Sequence, residues 1–462
     1  MKVTNLSILA YTGFATALTQ QCSGSAVNEG GNWFCGVIDQ ILYEGFSSSG
    51  SFKAVTKMGD DGSCDQEPFS YDGALGPLSE DLSVHIRGPF NLKEFAVYNL
   101  GSSEKKRDSA PSPHLHGHRH FHEQRKKKRG DWVTATIDGQ VVSWENTYNG
   151  SPATQAAPVG IPAAPTNAVN VVDEKKPMKL KADPLPGLDK IKSKVENVKS
   201  KVDQVKSKAT SKAKEYTATP GGRWKRTAYY NAQRRVADNV IFMGNYGGEG
   251  SGVFDNTWGN SLSYLNANGN GGSSSPKILK DVFIPSNKEF SIFSSEKCDE
   301  SCGYSRVPDV AYKGFSGSNK IFLFNFKMPF DGNTGFNGDM PALWALNGRI
   351  PRTGQYSGCS CWKTGCGEVD IYEVLATGDD KCKSTFHLTN GAGSSDYFKR
   401  PADKYIKVAV VFCERTSSVA IKQLDDSFDF GSSLSDETVR DWIKTMSTPK
   451  KGSSLFQLSI SV

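Results

Sequence analysis

Apolar and polar positions alternate with a period of two through most of the second half of the chain. NVIFMG, LSYLNANG, EFSIFSS, KIFLFNFKMPF, PALWALN, EVDIYEVL, STFHLTNG, YIKVAVVFCE and SVAIKQL are short β-branched and aromatic runs separated by Gly, Asn, Asp and Ser turns. Helical periodicity is scarce after Thr227 until DETVRDWIKTM. The pattern predicts an all-β fold, a two-sheet sandwich or jelly roll over 227–462. Near the start, GNWFCGVIDQILYEGF and DLSVHIRGPFNLKEFAVYNL have a similar character, and DWVTATIDGQVVSWENTYNG alternates like a hairpin. These segments predict a small Gly-rich β domain over 22–150.

Between the two the pattern breaks. SPATQAAPVGIPAAPTNA is Ala/Pro-rich and reads as extended, flexible chain. It is followed by IKSKVEN, VKSKVDQ and VKSKATS, a three-heptad seam that predicts a short solvated amphipathic helix rather than a coiled-coil dimer. Residues 151–226 therefore read as a disordered basic linker. Residues 101–226 hold 25 Lys and Arg against 13 Asp and Glu, a net of +12, whereas the whole chain is only +6. The remainder sums to −6, so the basic character belongs to the linker and not to the β units. It carries no nucleic-acid recognition motif, and no nucleic-acid partner is expected. With 37% apolar residues and a mean hydropathy of −0.47, the 462-residue chain combines ordered units with such a tether.

The N-terminus changes the picture again. MKVTNLSILAYTGFATALTQQC has an apolar run too short to span a bilayer and small residues suited to a signal peptidase, so residues 1–21 predict a cleaved secretion signal. No membrane span and no lipid anchor are expected, and the exported protein is read as a soluble monomer. Ten cysteines fit an oxidising compartment. Cys22, Cys35 and Cys64 lie in the first part and seven more in the last, so either a bridge joins the parts or each keeps a free thiol. Cys359-x-Cys361 with Cys366, and Cys298-x3-Cys302, also have zinc-ligand spacing, with disulfides the favoured reading. His114, His116, His118, His120 and His122 alternate in the basic tether, either as plain polar linker or as a weak metal site, with the first preferred. Lys-Arg pairs ending at Arg107, Arg129 and Arg226 read as exposed processing sites, and Asn149 opens the one glycosylation sequon outside the signal.

The candidate chemistry lies in GEVDIYEVL. In a regular strand Glu368 and Asp370 face one way and Glu373 the other, among core residues. A lone buried carboxylate is costly. One extra residue, a β-bulge near Ile371-Tyr372, returns Glu373 to the face of the other two and makes a row of three acids. Such a row suits retaining glycoside hydrolysis, with one carboxylate as nucleophile and one as acid and then base. Trp344 in PALWALN, Trp362 in CSCWKTGC, and His387 and Asn390 in STFHLTNG are candidate sugar-binding residues. Trp362 reads equally as a cover for disulfides, and His387 equally as a structural strand residue.

PALWALN, then GEVDIYE, then STFHLTNG resembles the concanavalin-like β-jelly-roll enzymes of glycoside hydrolase family sixteen, in their bulged Glu-x-Asp-x-x-Glu form. The whole layout is more closely similar to the fungal Tos-type cell-wall proteins, through GNWFCGVIDQILYEGF, DLSVHIRGPF, TIDGQVVSW, NVIFMGNYGG and PALWALNGRIPRTGQYSGCSCWKTGCGEVDIYEV. The resemblance implies a secreted fungal wall protein that hydrolyses or transglycosylates β-1,3-glucan, the wall glucan being its partner. It implies Glu368 as nucleophile, Glu373 as acid/base and Asp370 as the assisting carboxylate. No cofactor is implied for the chemistry, although members of such families often hold a structural Ca²⁺ that this reading does not place. The competing expectation is a structural wall protein that binds glucan without turning it over.

Overall fold

The computed structural model describes residues 25–101, 132–137, 140–145, 223–443 and 452–458. The signal segment, the alternating histidines, the heptads, Asn149 and the Lys-Arg pairs at Arg107 and Arg129 lie outside the described residues.

Two nine-stranded sheets form the sandwich. The back sheet runs Val236–Asp238, Arg223–Asn231, Asn91–Leu100, Lys320–Lys327, Ile406–Cys413, Ser418–Leu424, Gln40–Glu44 and Ser453–Gln457, with Ser433–Ser435 paired to the second of these. The front sheet runs Gly272–Ser273, Ser263–Leu265, Ile241–Gly244, Glu289–Phe293, Leu82–Arg87, Ala342–Asn347, Glu368–Glu373, Lys381–His387 and Phe398–Lys399. Each of the nine alternating segments read from the second half of the sequence contains or overlaps one of these strands. The predicted hairpin pairs Trp132–Ile137 with Gln140–Glu145.

The N-terminal residues are built into this sandwich. Leu82–Arg87 is hydrogen-bonded between Glu289–Phe293 and Ala342–Asn347, and Asn91–Leu100 between Arg223–Asn231 and Lys320–Lys327. The boundary read between 22–150 and 227–462 therefore separates strands that alternate within both sheets. The reason is pairing: an interior strand satisfies its backbone N–H and C=O groups on two neighbours, here from the far side of the linker. Lys225-Arg226 also differs from its reading as an exposed linker site. It lies inside the Arg223–Asn231 strand, where Arg226 stacks 4.0 Å over the Tyr229 ring and donates to the Phe430 carbonyl.

The main core fills the space between the sheets. Phe95, Phe322, Phe324, Val408, Val410 and Ile421 of the back sheet meet Val84, Ile86, Leu343, Val369, Ile371 and Phe386 of the front. The back sheet is buried on its other face too, where Tyr98, Trp224, Ile321, Leu323 and Val411 pack with Val439 and Trp442 of the helix Asp436–Ile443. Two buried faces explain why KIFLFNFK and IKVAVVFC carry apolar residues at nearly every position. The front sheet has a mixed outer face. Phe52, Ala54 and Tyr71 of the hairpin Ser49–Met58/Cys64–Asp72 pack on Ala342, Trp344 and Leu346, and polar groups stand beside them.

Three disulfides are described in full: Cys64–Cys359, Cys298–Cys302 and Cys361–Cys366. The spacings with zinc-ligand character are thus spanned by sulfur–sulfur bonds. The first bridge joins the two parts of the sequence, and both buried free thiols, Cys382 and Cys413, fall in the last part.

Candidate active site

The acidic strand carries the bulge its spacing requires. Toward Ala342–Asn347, Glu368 pairs with Leu346, Val369 with Ala345 and Asp370 with Trp344, then Tyr372 pairs with Leu343 and Glu373 with Ala342. Ile371 is the extra residue. Toward Lys381–His387, Glu368, Asp370 and Glu373 pair with His387, Thr385 and Lys383, three steps along one strand against two along the other between Asp370 and Glu373. Ile371 and Tyr372 are both buried in the intersheet core, so the acids at 368, 370 and 373 are left to the outer face.

Each carboxylate has its own partners. Glu368 Oε1 accepts a hydrogen bond from Tyr356 Oη at 3.1 Å, and its Oε2 accepts from Trp362 Nε1. Asp370 Oδ2 is 2.9 Å from His387 Nε2. Arg87 Nη2 lies 3.6 Å from Glu373 Oε1 while Arg87 Nε donates to the Met340 carbonyl at 2.8 Å. Glu373 is open to solvent at 23% of its side-chain surface, and His387 at 43%.

Burial, followed by the negative charge of Asp370, raises the pKa of both Glu368 and Glu373. The His387 cation opposes this at both, as does Arg87 at Glu373. Burial works against a charged His387, but Asp370 first, then Glu368 and Glu373, outweigh it and push its pKa up to about 10. The imidazole is therefore a cation at neutral pH. Burial raises Tyr356 well above its ordinary value, with Glu368 adding to it, so its hydroxyl keeps the proton it donates.

The candidate residues divide as follows. Glu368, Asp370, Glu373, Trp362 and His387 come together, with the Trp362 and His387 rings 6.0 Å apart. Trp344 shares the face through its pairing with Asp370, yet it is buried beneath Phe52 and Tyr71 and stacks on His85 at 5.4 Å. It is a floor to the site rather than an open platform. Asn390 is buried and donates to the Gly45 carbonyl at 3.2 Å, holding the turn after the His387 strand. Tyr356 and Arg87 were not legible as site residues. Tyr356 lies in a Gly/Ser/Cys loop, and Arg87 joins the acids only through long-range strand pairing.

Among the described residues no group of three His, Cys, Asp or Glu side chains is placed to hold a metal ion. The oxygen-rich loop Asp331–Asp339 does not fit a structural cation as it stands. Asp339 is paired to Arg400, and Asp331 accepts from the Ser286 hydroxyl and from the backbone N–H groups of Ser286 and Asn333. No described helix is long and apolar enough to cross a membrane.

Comparison with known proteins agrees with this layout. The family model for the C-terminal part of cell wall protein YJL171C/Tos1 matches residues 222–442, and that for its N-terminal part matches residues 39–100. A protein of Arthroderma benhamiae named probable circularly permuted 1,3-beta-glucanase is 41% identical over 92% of this chain and 94% of its own. Those named probable circularly permuted 1,3-beta-glucanase TOS1 in Candida albicans and Saccharomyces cerevisiae are 38% and 36% identical, covering 96% and 97% of this chain and 98% of each relative. No solved structure matches. With both family segments matched and full-length relatives above one-third identity, this chain belongs to the YJL171C/Tos1 family of fungal cell wall proteins.

Proposed function

We propose that the protein is exported to the fungal cell wall and there hydrolyses or rearranges β-1,3-glucan by a retaining double displacement. One observation carries the reading: the bulge at Ile371 leaves Glu368, Asp370 and Glu373 on a single face, each with a separate polar partner. The relatives' names supply the substrate class, and the N-terminal apolar run and the disulfides supply the compartment.

In the first step a Glu368 oxygen attacks the anomeric carbon as the glycosidic C–O bond breaks. The proton on Glu373 passes to the leaving sugar oxygen, giving a glycosyl ester on Glu368 and a carboxylate at Glu373. In the second step that carboxylate takes a proton from water or from a sugar hydroxyl. The oxygen so freed attacks the anomeric carbon and releases Glu368. Water gives hydrolysis, and a sugar acceptor gives transglycosylation.

The partners fit these roles. Two donors, Tyr356 and Trp362, favour Glu368 as a carboxylate once Glu373 holds the proton. Partial exposure lets Glu373 exchange that proton, and Arg87 steadies the carboxylate it leaves. Asp370 raises the proton affinity of both acids while its own charge is paired with His387.

The test is the full chain incubated with soluble β-1,3-gluco-oligosaccharides and read by mass spectrometry. Shorter products indicate hydrolysis and longer ones transglycosylation. Either must vanish in Glu368→Gln while glucan binding persists. An unchanged ladder from folded, glucan-binding protein would leave a structural wall protein instead.

A further inference from the structure

Glu289 stands on the same outer face as the acid row and takes no part in the chemistry above. Across the front sheet Glu289 pairs with Arg87, Arg87 with Ala342, and Ala342 with Glu373. Residues directly opposite in antiparallel strands share a face, so these four form one line across the sheet. Three strand spacings separate Glu289 from Glu373, about 14 Å at the usual interval. That distance suits a short run of sugar rings rather than one ring.

The carboxylate of Glu289 is half-buried, and among the described residues it makes neither a hydrogen bond nor an ion pair. The Arg87 cation acts on it electrostatically, but the guanidinium is engaged by Glu373 and the Met340 carbonyl. A carboxylate partly withdrawn from water without donors is costly to keep. Glu289 also acts electrostatically on Tyr246 and on Tyr356, the residue that donates to Glu368, so it shares one field with the acid row. Sugar hydroxyls are the donors such a site lacks, and a carboxylate can accept from two of them at once.

We propose that Glu289 is a sugar-binding carboxylate that accepts hydrogen bonds from glucan hydroxyls at a subsite three strands from Glu373. The proposal rests on the glucan reading of the acid row and adds to it where a longer chain is held. It makes Glu289 a determinant of chain-length preference rather than a catalytic residue.

The experiment compares the full chain with Glu289→Gln on β-1,3-gluco-oligosaccharides of increasing length. Losing hydrogen bonds to a charged acceptor should shrink the kcat/KM advantage of long over short substrates by about ten- to a hundredfold. Glu289→Ala should shrink it at least as far. A ratio that stays constant, whether both rates fall together or neither moves, would overturn the proposal. If the wild type cleaves no glucan, the reading of the acid row fails and the same oligosaccharides are titrated by calorimetry. A length-dependent loss of affinity in Glu289→Gln would then still support the subsite, and an equal affinity at every length would overturn it.

Discussion

His387 Nε2 lies 2.9 Å from Asp370 Oδ2, an imidazolium placed against the middle member of a row of three carboxylates. The pair explains how three acids share one face: the cation offsets charge that would otherwise accumulate between Glu368 and Glu373. His387 should remain protonated through pH 8 in an NMR titration, with its signals assigned by their loss in His387→Gln. Asp370→Asn removes its largest stabilising charge and should return the pKa toward the ordinary histidine range. A wild-type value near 6.5 would contradict the pairing.

Arg87 reaches Glu373 from a strand far away in the sequence. The charged groups that act on Glu373 are Asp370 and Glu368 on its own strand, His387 on the next and Arg87 on the other side, while Lys383, opposite it in register, donates instead to the Trp33 carbonyl. Arg87→Met removes a cation that lowers the Glu373 pKa, so the acid form should persist to higher pH. The alkaline limb of kcat/KM should move upward, and Arg87→Lys should restore most of the wild-type profile. An unmoved limb in a folded Met variant would show that Arg87 is only structural.

Glu368 has a raised pKa, which sets the sign of its contribution to stability. At acid pH the group is neutral in both folded and unfolded states. As pH rises above the ordinary carboxylate range the unfolded state ionises first, and the folded state loses stability until it too has ionised. Glu368→Gln has no such proton to lose. Its melting temperature relative to wild type should therefore rise above pH 5 and level off at the pH where Glu368 becomes the carboxylate that the first step needs. Parallel curves would mean that Glu368 titrates normally.

The basic tether enters and leaves the sandwich at adjacent points, because Leu100 pairs with Trp224 in antiparallel strands and Gly101 N donates to the Arg223 carbonyl at 3.2 Å. Replacing residues 102–222 by a short turn should leave a folded sandwich with its melting transition and acid row intact. A fragment of residues 227–462 lacks Leu82–Arg87 and Asn91–Leu100, an interior strand of each sheet, and should show no cooperative melt by circular dichroism.

Much of this was legible in the sequence because it is local. The turn-bounded alternating runs gave the front and back strands, and Glu-x-Asp-x-x-Glu demanded a bulge because a regular strand would bury Glu373. What escaped was set by distant pairing. Residues 22–150 read as a domain of their own because strands such as Leu82–Arg87 and Asn91–Leu100 are complete locally, while their hydrogen-bond partners lie beyond the linker. Trp344 read as a platform because the hairpin that buries it, carrying Phe52 and Tyr71, comes from the other end of the chain. Tyr356 gave no periodic signal, and its loop is held by two disulfides, Cys64–Cys359 and Cys361–Cys366, whose pairing the spacing left open.

The most direct test of the central claim is the anomeric form of the first product. The full chain is mixed with a soluble β-1,3-gluco-oligosaccharide and the new reducing end is followed by proton NMR before it mutarotates. A row in which Glu368 forms a covalent ester and Glu373 supplies and then removes the proton predicts that the β-anomer appears first. The α-anomer first, or β-product undiminished in Glu368→Gln, would contradict the account.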